Sequence, residues 1–473
     1  MTAADPKAPR LGLDAVLQGA GAVWGEGSYQ RPKHVRGVSI DTRSLAAGEL
    51  FFAIVGPRFD GHAFLAQARE RGAAAAVVQH EAPAPPDLPL LRVADTTRAL
   101  ADTARYVRQA AALPVVAVTG SLGKTTTKEI TAGLVAPRGP VLKTEGNLNN
   151  HFGLPLTLLR LREEHRTAVL ELGMSAAGEL RHLSGIARPD VAVITRVAPV
   201  HLEFFPSLEA IARAKGEILE GLSEDGTAVL NADDAQLRPI GQAHGGRVVW
   251  FGRHRQHEVS AEKWRGTAHG MRFDLLVEGQ RVDVALPLPG THNVTNFLAA
   301  AAAAHVLGVK PETMAAAATR LRPARHRGEV LRLGRRMTLL DDCYNSSPEA
   351  VDAAVGALNM TAHARCVAVL GDMLELGSQG PELHHRSGQR LAGRVELVLG
   401  VGPLARHILE GAREAGLPPH ALHHFPDAPA AAGALPDLLR DGDAILVKGS
   451  RAVRLEVVVE RLLECCGPQE QVG

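Results

Sequence analysis

A glycine-rich turn between an apolar strand pattern and a helix pattern constrains the fold of this chain more than any other feature. The apolar run Val115–Thr119 leads into the turn Gly120-Ser-Leu-Gly123, and Lys124-Thr-Thr-Thr127 begins a helical pattern. Glycines allow a close backbone approach, so successive amides of such a turn face phosphate oxygens at the start of the helix. This strand, loop and helix predict a P-loop within an α/β fold.

The side chains of this turn suit the binding of a nucleoside triphosphate. Lys124 would neutralise the β- and γ-phosphates, and the Thr125 hydroxyl would join the shell of a Mg²⁺ ion. The usual motif has glycine five positions before Gly123, where this chain has Val118. A chance glycine turn is the alternative, and the strand, the lysine and the consecutive threonines argue against it. The predicted ATP-binding residues of this segment are Thr119, Gly120, Ser121, Gly123, Lys124, Thr125 and Thr126.

Chain length and strand–helix alternation predict three α/β domains. A chain of 473 residues exceeds what one hydrophobic core usually organises. Alternating strand and helix patterns in the middle of the chain indicate a mainly parallel sheet covered by helices. The stretch Leu321–Gly328, rich in Pro, Arg and His, has the character of a linker. We therefore expect domains at residues 1–108, 109–323 and 324–473.

Apolar runs and helical periodicity predict the main elements of these domains. The expected strands are Leu50–Val55, Ala73–Val78, Val115–Thr119, Ala168–Leu172, Val191–Thr195, Thr227–Asn231, Met337–Asp341, Arg365–Leu370, Val395–Val401 and Ala444–Lys448. The expected helices are Ala63–Glu70, Thr96–Ala111, Ser207–Gly221, Asn293–Leu307 and Val453–Glu464.

Charge and composition limit the cellular compartment and the binding partners expected for this chain. The net charge of +1 gives no overall attraction to nucleic acid or to an anionic membrane. The four cysteines show no metal-ligand spacing, which favours a reducing compartment. The N-terminal residues lack the apolar core of a signal peptide, and the run Leu298–Val306 is too short to span a bilayer. We expect a cytoplasmic protein without membrane insertion.

Further motifs follow the P-loop in a characteristic order. They are Gly146-Asn-Leu-Asn-Asn150, Glu171-Leu-Gly-Met174, His201-Leu-Glu203, Ala214-Lys-Gly-Glu217, Asn231-Ala-Asp-Asp234 and His292-Asn-Val-Thr-Asn296. Together they resemble the central ATPase domain of the Mur ligases. The resemblance implies a three-domain α/β architecture with a Rossmann-like C-terminal domain. It also implies a reaction in which ATP phosphorylates a carboxylate and an amine attacks the acyl phosphate to form an amide.

The resemblance assigns the catalytic and metal-binding roles. Glu171, His201 and Lys215, the last as a carbamate, would hold Mg²⁺, or Mn²⁺, together with Thr125. With Lys124, these three residues form the expected catalytic set. Read without the resemblance, Glu171 would be a strand-end carboxylate, His201 a surface histidine and Lys215 a solvated helix lysine.

Further ATP contacts are implied by the same resemblance. Asn293 and Asn296 would lie near the adenine, Arg327 would reach the terminal phosphate, and Asp342 would join the ATP site from the third domain. The chain departs from the family pattern at Thr195, where Asn is usual, at Val200, where Ala is usual, and at His326, where Gly is usual.

Motifs of the outer domains resemble those of the Mur ligases that add D-alanyl-D-alanine to UDP-N-acetylmuramoyl-tripeptide. They are Ser39-Ile-Asp-Thr-Arg43, Asp341-Asp-Cys-Tyr-Asn-Ser-Ser-Pro348, Gly371-Asp-Met-Leu-Glu-Leu-Gly377 and Val447-Lys-Gly-Ser-Arg451. The first domain would bind the uridine diphosphate end of the precursor, and the third the incoming dipeptide. The implied substrate-binding residues are Thr42 and Arg43 for the diphosphate, Asn149 and Asn150 for the muramoyl part, and Lys448 and Ser450 in the third domain.

Two other functions compete with this interpretation. One is a different ligase of the same family, adding diaminopimelate or lysine, or a folylpolyglutamate synthetase. The other is a nucleotide-binding regulator without turnover, against which the intact Lys124, Glu171, His201 and Lys215 argue. The third residue of the substrate peptide, lysine or diaminopimelate, stays open, and we expect a monomer.

Overall fold

The computed structural model describes residues 11–26, 30–79, 81, 83–199, 203–267, 269–360 and 364–467. These residues belong to two compact units. The first comprises Met1–Thr119, Arg138–Ala192 and Gly216–Thr227, and the second comprises Gly120–Pro137, Val193–Lys215 and Ala228–Gly473. Within the described ranges, no helix is both long and apolar enough to cross a membrane.

The described part of the first 110 residues contains short strands and three helices. The strands are β1 (Leu11–Gly12), β2 (Val23–Trp24), β3 (His34–Val35), β4 (Val38–Ser39), β5 (Leu50–Phe52), β6 (Ala75–Val78) and β7 (Leu90–Arg92). The helices are α1 (Asp14–Gly19), α2 (Leu65–Glu70) and α3 (Thr96–Ala110), and a 3-10 turn, Gly61–Phe64, precedes α2.

The middle of the chain carries the longest run of elements. Its strands are β8 (Val115–Thr119), β9 (Val141–Lys143), β10 (Thr167–Glu171), β11 (Val191–Ile194), β12 (Thr227–Asn231), β13 (Arg247–Gly252), β14 (Val259–Thr267), β15 (Gly270–Val277) and β16 (Gln280–Leu286). Its helices are α4 (Lys124–Val135), α5 (Gly153–Leu158), α6 (Glu179–Ala187), α7 (Leu208–Gly216), α8 (Leu237–Ala243), α9 (Thr291–Val306) and α10 (Pro311–Ala318). The 3-10 turns are Ala136–Arg138 and Glu217–Gly221.

The elements from residue 329 onward again alternate strand and helix. The strands are β17 (Glu329–Arg332), β18 (Thr338–Asp341), β19 (Arg365–Gly371), β20 (Leu397–Val401), β21 (Leu422–Phe425) and β22 (Asp443–Lys448). The helices are α11 (Pro348–Leu358), α12 (Gly380–Gln389), α13 (Ala405–Glu414), α14 (Ala428–Leu438) and α15 (Glu456–Cys466). The 3-10 turns are Gly377–Gln379, Pro419–Ala421 and Arg451–Val453.

The first unit is built on parallel strands. One sheet has the order β2-β7-β6-β5-β4, in which only β2 runs antiparallel to its neighbour. Strands β8, β10 and β9 are also parallel and adjacent in that order. Every residue of β8 and β10 is buried, which explains their nearly continuous apolar sequences.

The second unit contains a six-stranded sheet of order β17-β18-β22-β19-β20-β21. All neighbours except β17 and β18 are parallel. Alternate residues of β19 face opposite sides, so Val367 and Val369 pack with residues of α14 and α15. Cys366, Ala368 and Leu370 pack with residues of α11, α12 and α13. Helices therefore cover both faces, as in Rossmann-like folds.

The sequence did not predict the antiparallel part of the second unit, where β14, β15 and β16 form consecutive hairpins. Strands β14 and β16 each contain four exposed residues, so they lack the continuous apolar runs of buried parallel strands. The turn that joins β15 to β16 consists of Glu278 and Gly279, which both have positive φ between the paired Val277 and Gln280. The single helix predicted at Ser207–Gly221 was also wrong, because its second part is the 3-10 turn Glu217–Gly221.

Candidate active site

The phosphate loop connects β8 to α4 and has the conformation that its glycines permit. Gly120 and Gly123 have φ values of +152° and +79°, and Gly123 occupies the left-handed region immediately before α4. Lys124 Nζ donates a 2.8 Å hydrogen bond to the Gly120 carbonyl, so the lysine folds back across the loop. The Thr125 hydroxyl belongs to a buried side chain in the first turn of α4. This geometry presents backbone amides and one cation to a phosphate chain.

Asn296 lies against the second glycine of the phosphate loop, Gly123. A Cβ on Gly123 would overlap Asn296 Oδ1, so glycine is required for this close approach. Asn296 Nδ2 donates to Asn293 Oδ1 at 3.2 Å, and Asn293 Nδ2 donates to the Pro289 carbonyl at 2.7 Å. The two asparagines predicted near the adenine therefore form one buried pair at the start of α9, and Asn296 lies against the phosphate loop.

Lys215 lies at the end of α7 with only 2% of its surface exposed. Burial lowers its pKa well below the ordinary lysine value, and the positive charge of Lys124 lowers it further. Both effects favour the neutral amine. A neutral amine is the form of lysine that reacts with carbon dioxide, so the site suits the carbamate implied by the resemblance to the Mur ligases.

In the first unit, Glu171 ends β10 with its side chain 2% exposed. Asn149 Nδ2 donates to Glu171 Oε1 at 2.9 Å, so one predicted substrate residue supports one predicted metal ligand. Asn150 Oδ1 accepts the backbone N–H groups of Phe152 and Gly153 at the start of α5. The structure thus brings Asn149 to Glu171, while Asn150 caps a helix.

Residues from three sequence motifs interact around Lys448, in the predicted third domain. Lys448 Nζ and Asp342 Oδ2 form an ion pair of 2.6 Å, and Lys448 also donates to the Asn345 carbonyl at 3.0 Å. The half-buried His292 at the start of α9 has a lowered pKa because of desolvation; Asp342 opposes this shift and Lys448 adds to it. Sequence reasoning did not assign His292 a role, although it lies in the motif that contains Asn293 and Asn296.

Ser450, the other predicted substrate residue of this region, is buried and joins two motifs. Its Oγ accepts the Leu374 N–H at 2.9 Å, and its own N–H donates to the Asp372 carbonyl at 3.0 Å. Asp372 Oδ1 in turn accepts the N–H groups of Leu404 and Ala405 at the start of α13. The structure therefore gives Ser450 a supporting position between β22 and the segment after β19.

Arg327 is held by an aromatic ring. Its guanidinium lies 4.0 Å from the centroid of Tyr344, and the preceding His326 has a positive φ of 60°. That backbone region favours glycine, which accounts for the glycine usual in the family at this position. His326 Nδ1 lies 2.7 Å from Asp341 Oδ2, and this interaction offsets the cost of the left-handed conformation.

The predicted diphosphate residues lie after β4. Thr42 is buried and its hydroxyl donates to Gln67 Oε1, whereas the Arg43 side chain is 86% exposed. Arg43 pairs with Asp41 at 2.7 Å and thereby lowers the pKa of that carboxyl group. The exposed guanidinium is accessible to an anionic ligand. His201 and Val200 lie outside the described residues.

Three family models match the chain in succession. They are the Mur ligase family catalytic domain at residues 34–116, the Mur ligase middle domain at 118–304, and the Mur ligase glutamate ligase domain at 326–451. The chain belongs to the Mur ligase family. The predicted family and α/β class are thereby confirmed, with a central P-loop domain and a Rossmann-like C-terminal domain.

Individual relatives extend this Mur ligase assignment over nearly the whole chain. UDP-N-acetylmuramoyl-tripeptide--D-alanyl-D-alanine ligase of Escherichia coli strain K12 is 40% identical over 90% of this chain and 93% of its own length. The crystal structure of MurF from Acinetobacter baumannii has a TM-score of 0.88 at 32% identity, covering 97% of this chain and 99% of that one. MurF ligase from Thermotoga maritima, solved in complex with ADP, has a TM-score of 0.79 at 30% identity and covers 90% and 97%.

Proposed function

We propose that this chain is an ATP-dependent ligase that joins D-alanyl-D-alanine to UDP-N-acetylmuramoyl-tripeptide in the synthesis of the peptidoglycan precursor. The observation that carries the proposal is a phosphate-loop lysine, Lys124, together with the buried Lys215, whose pKa is lowered by burial and by the charge of Lys124. The names of the relatives similar over 90% of the chain supply the substrates.

The reaction requires two anions to approach each other. The γ-phosphoryl group of ATP passes to the terminal carboxylate of the tripeptide, and ADP leaves. The amine of the dipeptide then attacks the acyl phosphate, an amide forms, and phosphate leaves. Lys124 and the loop amides stabilise the charge on the transferring phosphoryl group, so the protein contributes mainly positioning and electrostatics.

The proposed metal site is rich in oxygen donors. The buried carboxylate of Glu171 and the buried hydroxyl of Thr125 fit the preference of Mg²⁺ for oxygen. A carbamate on Lys215 would add another oxygen ligand, and His201 would complete the set, for which Mn²⁺ is also suited. When bound, the metal neutralises charge on the ATP phosphates.

The remaining roles follow the same proposal. The phosphate site is lined by Thr119, Gly120, Ser121, Gly123 and Thr126. Asn293 and Asn296 lie nearer the base, and Arg327 and Asp342 act from the third domain. Arg43 and Thr42 bind the diphosphate, Asn149 and Asn150 face the muramoyl part of the precursor, and Lys448 and Ser450 bind substrate from the third domain. We propose domain boundaries at 108 and 323, action as a monomer, and a cytoplasmic location.

A product assay tests the function. The purified protein is incubated with ATP, Mg²⁺, D-alanyl-D-alanine and each UDP-tripeptide in turn, and the products are weighed by mass spectrometry. We expect the mass of the UDP-pentapeptide and phosphate release that requires both peptide substrates. Parallel reactions that offer diaminopimelate or lysine with UDP-N-acetylmuramoyl-L-alanyl-D-glutamate, and glutamate with a folate, test the other ligases. Phosphate release without any amide product would contradict the proposal.

A further inference from the structure

The segment Thr195–Ala198, here called the strap, runs along the phosphate loop and bonds to it at three points. Thr195 Oγ1 donates to the Leu122 carbonyl at 2.6 Å. Ser121 N–H donates to the Arg196 carbonyl at 2.7 Å, and Ser121 Oγ donates to the Ala198 carbonyl at 3.0 Å. The strap therefore fixes backbone groups on either side of the loop's turn.

Thr195 makes the closest of these approaches. It is only 3% exposed, and a Cβ on Gly120 would overlap its Oγ1. The strap is itself anchored on its other side. Asn231 Nδ2 donates to the Thr195 carbonyl at 2.9 Å, and Asp234 Oδ2 accepts the Val197 N–H at 2.7 Å. Thr195 is thus held in place independently of the loop.

Because the peptide bond is planar, these contacts fix the direction in which the amide N–H groups of the loop point. In a trans peptide the C=O and the following N–H point in opposite directions. Because the Leu122 carbonyl points at Thr195, the Gly123 N–H points away from it, at the start of α4. The neighbouring Gly120 carbonyl accepts Lys124, and the Ser121 N–H on the same peptide points to the strap.

We propose that Thr195 is a positioning residue of the phosphate loop, whose hydroxyl orients the Leu122–Gly123 peptide so that the Gly123 amide faces the ATP phosphates. It acts through the loop backbone rather than by touching substrate. The inference rests on the proposed function only in that the loop binds ATP. It assigns a role to a position where the chain departs from the asparagine usual in its family.

Direct ATP binding and steady-state kinetics test the role of the hydroxyl. Thr195→Val removes the hydroxyl at nearly constant volume, and Thr195→Ser keeps it. Thr103→Val is the matched control, because Thr103 is a buried threonine of α3 whose hydroxyl donates to the Ala99 carbonyl. Thermal unfolding of all variants reports the general cost of losing a buried hydroxyl.

We expect Thr195→Val to weaken ATP binding and raise the KM for ATP by about threefold to tenfold, the effect of one neutral hydrogen bond. The KM values for the UDP-tripeptide and the dipeptide should not change, Thr195→Ser should restore ATP binding, and Thr103→Val should bind ATP normally. If Thr195→Val does not fold, Thr195→Ala gives the same comparison.

Wild-type ATP affinity in Thr195→Val, or an equal loss in Thr195→Ser, would overturn the role of the hydroxyl. An equal rise in the KM values of all three substrates would overturn it as well, because it would indicate a general structural defect. Failure of the wild-type protein itself to bind ATP would instead contradict the proposed function, so the two failures are distinguishable.

Discussion

Lys124 and Lys215 show how the charge of one lysine can lower the pKa of another. Lys124 is partly exposed and bonds to the Gly120 carbonyl, whereas Lys215 is buried and has a strongly lowered pKa. The like charge of Lys124 contributes to that shift, so the charged state of one lysine favours the neutral state of the other. In the proposed site, Lys124 would serve as the cation for the phosphate and Lys215 as the amine that is modified.

Replacing Lys124 tests the role of its positive charge in phosphoryl transfer. We expect Lys124→Met to lower kcat by about 100-fold to 1000-fold, because the loss falls on charge stabilisation of the transferring phosphoryl group. Thermal unfolding should change little, since the side chain lies at the surface of the loop. Lys310→Met, at an exposed lysine before α10, is the control and should retain full activity. Activity of Lys124→Met close to that of the control would refute the phosphate site.

The lowered pKa of Lys215 predicts the pH range of its carbamate. Because the folded pKa lies below the ordinary value, the amine stays neutral, and reactive, to a lower pH than an exposed lysine. With ¹³C-bicarbonate, NMR should show one carbamate signal in the wild type that persists as the pH falls from about 9 to about 7. Lys215→Met should lack the signal. A fully active wild-type enzyme without a carbamate would contradict the assignment.

At the scale of elements, the phosphate loop depends on glycine at Gly123. We expect Gly123→Ala to lower the free energy of unfolding by about 1–2 kcal/mol, because alanine resists the left-handed conformation. ATP affinity should fall as well, since the new Cβ would displace Asn296. Denaturant unfolding and direct ATP binding measure the two effects.

Gly433→Ala is the control for the substitution at Gly123. Gly433 lies on the exposed side of α14, where a Cβ would meet nothing within 4 Å. Alanine there should raise the free energy of unfolding by about 0.5–1 kcal/mol and leave ATP affinity unchanged. Equal effects of the two substitutions would show that the loop has no special requirement for glycine.

Elements with a strong local signal were predictable from sequence, and contacts between distant segments were not. The bounds of β8 and β12 were predicted to the residue, because each is a short, fully buried apolar strand. Likewise, the phosphate loop has a local sequence pattern. In contrast, Thr195 bonds to Leu122 across 73 residues of chain, and Asp342 acts on the pKa of His292 from a distant part of the sequence. Such contacts depend on tertiary structure, for which one sequence gives no local signal.

At the scale of the whole molecule, the linker before β17 is anchored at both ends. The Leu321 side chain packs where a Cβ on Gly133 of α4 would lie. At the other end, His326 bonds to Asp341, and the Gly328 N–H donates to the Asp341 carbonyl at 2.9 Å. Residues 322–325 therefore connect the phosphate-loop helix α4 to the six-stranded sheet that contains β17 and β18. We expect these residues to form the hinge.

In the proposed site, the residues that bind the UDP end belong to the first domain and the phosphate loop belongs to the second. Asp342, Lys448 and Ser450 belong to the third domain. Binding of the ligands should therefore promote closure about this hinge. Closure would exclude water from the acyl phosphate, which water would otherwise hydrolyse. We expect ATP together with UDP-tripeptide to lower the radius of gyration more than either ligand alone, as measured by small-angle scattering. The free protein and each singly liganded form are the controls. An unchanged radius in a saturated and active enzyme would show that the site is assembled without large-scale closure.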